Sequence, residues 1–279
     1  MDAEHNFFYL SATSDQVRNA KKSVSNAQGN ASINDSAIKL ASVVQAISQQ
    51  YDHIALINEN FIGPQVGQYD HGRSLYGLHD HNPLPSFLDY LREALSSYDI
   101  ELVIAASFRR QDTFINSTYL NLVADGYSQP FSQYYEMIQD VNLDWYEFMS
   151  LLAESHRLCV FPFELVVDNQ TEFLSHFAEI IGYDGEIQAA KEKRESLSKV
   201  GLKLALKINR MELKGEDRSK IIRLLKSDLP KDKFGKAKFK QKLNTAFYSK
   251  YDDSNKRVFK EYIPQAYQYI YDKYYAPSD

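Results

Sequence analysis

Hydrophobic positions switch between two periods over the first two thirds of this chain. Short apolar runs at 7–10, 53–57, 102–106 and 157–163 are too brief for helices and read as buried strands, the third of them buried on both faces. Between them, residues 37–47, 86–98, 131–138, 143–154 and 171–181 repeat their apolar positions at helical spacing. Another helix follows the 102–106 run: Asp112 and Thr113 read as its capping residues, and Phe114, Ile115, Tyr119, Leu120 and Val123 paint one apolar face. Gly182 stops the helix at 171–181. This alternation predicts an α/β fold, a mainly parallel sheet flanked by helices on both faces. Beyond it the pattern is wholly helical, with helices expected at 217–229, 236–249 and 254–271. The expected organisation is an α/β core over residues 1–185 and a helical, basic C-terminal region over 186–279 packed on that core.

Two stretches break the pattern. Residues 11–36 are rich in Ser, Asn and Gln and offer few hydrophobics to a core. Residues 63–85 are rich in Gly, His and Pro and predict a long loop over the sheet edge, a kind of loop that often carries function.

Composition narrows the classes. A chain of 279 residues with 44% hydrophobic residues can bury a large core. No apolar run approaches the ~20 residues of a membrane span, and the start Met-Asp-Ala-Glu-His lacks the features of a signal peptide, so a cytoplasmic protein with no integral membrane segment is expected. The single cysteine, Cys159, lies in an apolar run and reads as a small core residue rather than a nucleophile. The net charge of −5 conceals a division: residues 191–260 hold 22 Lys and Arg against 9 Asp and Glu, leaving 10 against 28 elsewhere. That segment either faces an anion or is a set of solvated helices. With a pI near 5.8 and no binding motif, nucleic acid is not an expected partner.

The richest chemistry lies where the 102–106 strand ends. Arg109 sits at the strand tip, and Ser117, eight positions on, falls about one and a half turns into the next helix at ~3.6 residues per turn. Ligands of open parallel sheets collect outside the carboxyl ends of strands, where a guanidinium can grip a phosphate. The structural alternative is a surface Arg-Arg pair and an ordinary helical serine.

The order of these parts resembles the sulfotransferases, especially the bacterial carbohydrate-type members. Phe-Arg-Arg-Gln-Asp-Thr-Phe-Ile-Asn-Ser-Thr-Tyr at 108–119 is similar to their 3′-phosphate-binding motif. Ile-Ala-Leu-Ile-Asn-Glu-Asn-Phe at 54–61 is similar to an upstream strand ending in an acidic residue, and Val-Phe-Pro-Phe-Glu at 160–164 to the strand before the last core helix. Tyr-Asp-Asp-Ser-Asn-Lys-Arg-Val-Phe at 251–259 resembles the tail in which a Ser-Asn-Arg-like sequence opens the final helix. The likeness covers roughly residues 52–265. It implies a P-loop-like sulfotransferase fold, 3′-phosphoadenosine 5′-phosphosulfate (PAPS) as donor held through Arg109 and Ser117, and no metal. It also implies an acceptor hydroxyl on a carbohydrate or glycan precursor, such as a cell-surface polysaccharide of a bacterium. The family's usual donor site would need residues 7–10 beside the 102–106 strand. The chain departs from the pattern there: the run Phe-Phe-Tyr-Leu-Ser-Ala-Thr-Ser-Asp-Gln at 7–16 has no Gly, and no Lys precedes Lys21, so the loop that cradles the 5′-phosphosulfate is missing.

Transfer would also need a base. Glu59, after the 53–57 strand, is the first candidate, followed by His79 among the loop histidines His71, His79 and His81. Arg110 or a lysine of the basic region could replace the missing loop lysine. Asp70, His71, His79 and His81 together raise a transition-metal alternative, but their spacing matches no common metal motif. The lone Trp145 and the many tyrosines read mainly as aromatic packing, with sugar stacking as the alternative. Three functions follow in order: a PAPS-dependent sulfotransferase, a degenerate relative that keeps at most nucleotide or partner binding, and a glycosyltransferase, for which the acidic metal-binding motif is lacking.

Overall fold

The computed structural model describes residues 7–11, 30–57, 83–188, 196–239, 243 and 245–276. Its elements run β1 (Phe7–Ser11), α1 (Asn30–Ser48), β2 (His53–Ile57), α2 (Pro83–Ser96), β3 (Val103–Phe108), α3 (Gln111–Ala124), α4 (Phe131–Ile138), α5 (Trp145–Ala153), β4 (Arg157–Pro162), α6 (Glu164–Asp168), α7 (Gln170–Ile181), α8 (Lys199–Ile208), α9 (Gly215–Asp228), α10 (Lys231–Phe234) and α11 (Thr245–Tyr262). A 3₁₀ turn at Gln265–Tyr267 and a π turn at Tyr271–Tyr275 follow.

The fold is mixed α/β but mostly helical, with a helical C-terminal region. Its strands are parallel, as expected, yet among the described residues they do not form one sheet. β1 pairs with β2 from Phe7 opposite His53 to Ser11 opposite Ile57, and β3 pairs with β4 from Val103 opposite Arg157 to Phe108 opposite Pro162. The continuous, doubly covered sheet is thus corrected to two parallel pairs. β1 hydrogen-bonds to β2, not to β3, so the strand neighbour that the family's usual donor site would need is missing. β3 is not buried on both faces either. Ala106 and Phe108 turn inward while Ala105 and Ser107 are exposed, the two-residue alternation of a strand packed on one side.

Helix α3 contributes several residues to the hydrophobic core. Ile115, Tyr119, Leu120, Leu122 and Val123 are all buried, which leaves little polar face and requires neighbours on several sides. Tyr119 meets the rings of Phe131, Tyr134 and Phe239 at 5.2–5.3 Å between centroids, and Phe131 stacks on Phe239 at 4.3 Å. The C-terminal region joins the same core: Phe259 of α11 packs edge-on against Phe108 of β3 and against Tyr275. A polar clip adds to this, because the Asn209 amide after α8 donates to the carbonyls of Val123 and Tyr127 and satisfies the C-terminal end of α3.

Several boundaries differ from expectation. Helix α1 starts at Asn30, inside the polar stretch, because Ile33, Ala37, Leu40, Ala41 and Val44 form one buried stripe against α2. The helix expected at 236–249 is absent over its first part: Lys236 forms an antiparallel bridge with Ser198, and α11 begins at Thr245. Ser254 therefore lies within α11 instead of opening it. Cys159 is half-buried in β4, less enclosed than a core residue. Gly182 ends α7 in the left-handed conformation at φ 70°, as its position predicted.

Candidate functional site

The carboxyl ends of β3 and β4 are fastened together. The Phe163 amide donates to the Phe108 carbonyl at 2.7 Å, and the chain beyond Phe108 turns through Arg109 and Arg110 into α3. Asp112 and Thr113 do not cap this helix. The N-cap is Arg110, with no side-chain cap bond. Asp112 is drawn back by the Arg110 guanidinium in a two-pronged contact of 2.6 and 2.8 Å, and the Thr113 hydroxyl donates to the Arg110 carbonyl. Buried carboxylate Glu164 closes the turn from β4's side, accepting from the Arg110 amide at 3.1 Å and the Tyr275 hydroxyl at 2.6 Å. Arg110 also donates to the Tyr274 carbonyl. Burial and the neighbouring Glu164 carboxylate push the Tyr275 hydroxyl well above its ordinary range, so it serves here as a donor.

Two residues of the 251–259 tail complete this knot. Asn255 and Gln111 exchange two amide hydrogen bonds of 3.0 Å, both side chains being buried, and Gln111 also donates to the Leu143 carbonyl. Ser254 donates at 2.6 Å to Asp144, the N-cap of α5, and accepts from the Tyr146 amide. The Trp145 indole donates at 2.7 Å to the carbonyl of Arg109. Sequence reading flagged Ser254 and Asn255 as motif members but missed their partners Gln111 and Asp144, which lie 144 and 110 positions away.

Arg109 differs from its neighbour. Its Nε donates to Thr113 at 3.0 Å and its guanidinium lies 4.7 Å from the Phe163 ring centre, while its two terminal nitrogens bond to no described residue. Burial lowers its pKa, an effect partly opposed by Glu164, Tyr275 and Asp112. Ser117 sits one helical turn beyond Thr113, hence on the same side of α3, and its hydroxyl also bonds to no described residue. The adjacent Asn116 has a buried side-chain oxygen with no partner among the described residues. Donors of a half-buried cation that no described residue takes up, with a hydroxyl one helical turn beyond Thr113, are what an oxyanion can use.

Glu59 and the loop histidines His71, His79 and His81, with Asp70, lie outside the described residues. Among the described residues no group of His, Cys, Asp and Glu could hold a metal, and no helix is long and apolar enough to cross a membrane. Trp145 is buried edge-on against Phe114, in a packing role. No protein-family profile, curated protein or solved structure matches this chain.

Proposed function

We propose that Arg109, Thr113 and Ser117 form a clamp for the 3′-phosphate of a nucleotide in a sulfotransferase-like protein that uses PAPS and acts on a carbohydrate hydroxyl. The observation that carries this reading is the half-buried Arg109 guanidinium, with donors unspent, at the carboxyl end of a parallel strand pair. The resemblance of residues 108–119 to a 3′-phosphate motif supplies the identity of the anion.

In this reading the acceptor oxygen forms a bond to sulfur as the bond from sulfur to the donor's 5′-phosphate oxygen breaks. The acceptor proton passes to a base, for which Glu59 and then His79 are the candidates, and adenosine 3′,5′-bisphosphate leaves. Arg109 fixes the donor at the phosphate remote from the reacting sulfur and supplies positioning.

A second reading, a relative that binds nucleotide or a partner without transferring sulfuryl groups, is favoured by β1. That strand pairs with β2, and no Gly or Lys follows it before Lys21 to cradle a phosphosulfate. Calorimetry with adenosine 3′,5′-bisphosphate tests both. Binding is expected, weakened by ~1–3 kcal/mol in Arg109→Ala and less in Ser117→Ala. No binding to the wild-type chain overturns the clamp, and binding without turnover of PAPS selects the second reading.

A further inference from the structure

A cavity of about 1030 Å³ opens beside the knot, between the first turn of α3, α8, the segment around Lys236 and α11. Its wall is largely carbon, built by Tyr119, Phe131, Leu202, Leu206, Phe239 and Phe247. Lys199, Lys203, Lys236 and Lys238 also line it; all four are exposed, and none pairs with a carboxylate among the described residues. The acidic groups of the lining are already neutralised: Asp112 holds Arg110, and Asp252 accepts from Lys256 at 3.0 Å and from the Tyr271 hydroxyl at 3.2 Å. The lining amides are spent as well, since Gln111 and Asn255 bond to each other. An occupant therefore meets a long apolar surface, four unopposed positive charges, and no free side-chain amide to read the edge of a base or the hydroxyls of a sugar.

We infer that this cavity is a binding site for an amphiphilic anion, a flexible hydrocarbon chain ending in a phosphate or carboxylate, with the chain along the aromatic and leucine wall and the head group among the four lysines. The site gives the +13 segment a task other than solvation, because that segment contributes all four lysines. Its volume is of the order of pockets that take drug-sized ligands. The inference does not depend on the donor reading, since Arg109 and Ser117 are not part of the lining.

The test is calorimetric titration of the whole chain with decyl phosphate below its micelle concentration, beside inorganic phosphate, adenosine 5′-monophosphate and decanol. Decyl phosphate should bind at least about tenfold more tightly than any of the three, a difference of ~1.4 kcal/mol. Lys199→Gln combined with Lys203→Gln, and separately Leu206→Gln, should each weaken it about tenfold or more, whereas Lys220→Gln with Arg223→Gln on α9 should leave it unchanged. Circular dichroism and the thermal midpoint establish that each variant is folded, and the exposed lysine variants keep the test intact should Leu206→Gln fail to fold. Equal binding of decyl phosphate and inorganic phosphate, displacement of decyl phosphate by the nucleotide at equal concentration, or wild-type affinity in the folded lysine variants would overturn the inference.

Discussion

Two polar regions meet at the first turn of α3 and use their hydrogen-bonding capacity in opposite ways. In the knot of Arg110, Gln111, Asp112, Glu164, Asn255 and Tyr275, charges and amides are matched to partners drawn from α6, α11 and the C-terminal turn. On the Arg109 side and along the lysine-lined cavity, cations keep donors to spare. A matched buried group contributes to stability and is costly to orphan, while an unmatched one near solvent adds little to the fold and is available to a ligand. Neighbouring arginines, one position apart in sequence, therefore belong to different systems.

Substitutions can break this contrast. Glu164→Ala should have the largest effect on stability, about 3 kcal/mol, because it strands the Arg110 amide and the Tyr275 hydroxyl in a buried site; denaturant unfolding should show a lower midpoint at an unchanged slope. Gln111→Leu should cost about 2 kcal/mol by leaving the Asn255 amide unpaired, and Gln111→Leu with Asn255→Leu should cost less than the sum of the single changes in a double-mutant cycle. Alkaline titration probes the adjoining aromatic core. Burial pushes Tyr119 up to about 12 and raises Tyr134 further, so both hold their protons more tightly in the fold. Their contribution is fully present below the ordinary tyrosine value of 10.0 and is lost as pH rises toward the folded values, so thermal midpoints should fall from pH 10 upward, and less steeply in Tyr119→Phe. The smallest effect belongs to Arg109→Ala, within about 0.5 kcal/mol of wild type in stability. A large loss there would mean that Arg109 is a member of the knot after all.

Local patterns made much of the scaffold legible, and distant pairings set its limits. Helix α4 runs from Phe131 to Ile138 as read, since Pro130 fixes its start and its apolar spacing is regular. Gly182 ended α7 for a reason visible in the sequence alone. The start of α1 was missed because Asn, Ser and Asp dominate its first turns and mask Ile33, whose burial depends on α2. The segment from Lys236 looked helical because its lysines and apolar residues alternate suitably, but a bridge to Ser198, 38 positions earlier, decides its shape. At the site, the placing of Arg109 just past the end of β3 and of Ser117 within the next helix was legible from spacing. Its division from Arg110 was not, because the partners that occupy Arg110 include the Tyr274 carbonyl far along the chain, and Glu164, which holds its amide, is supplied by the neighbouring strand's end.

The bond from Trp145 to the Arg109 carbonyl has a spectroscopic consequence. This is the chain's single tryptophan, its indole is buried, and it holds the turn from which Arg109 projects. Emission excited where tyrosine does not absorb thus comes from one fluorophore hydrogen-bonded to the base of the candidate clamp. An anion that draws on Arg109 and shifts that turn would change the indole's surroundings and hence its colour or yield, giving an unlabelled optical signal of occupancy in the wild-type protein.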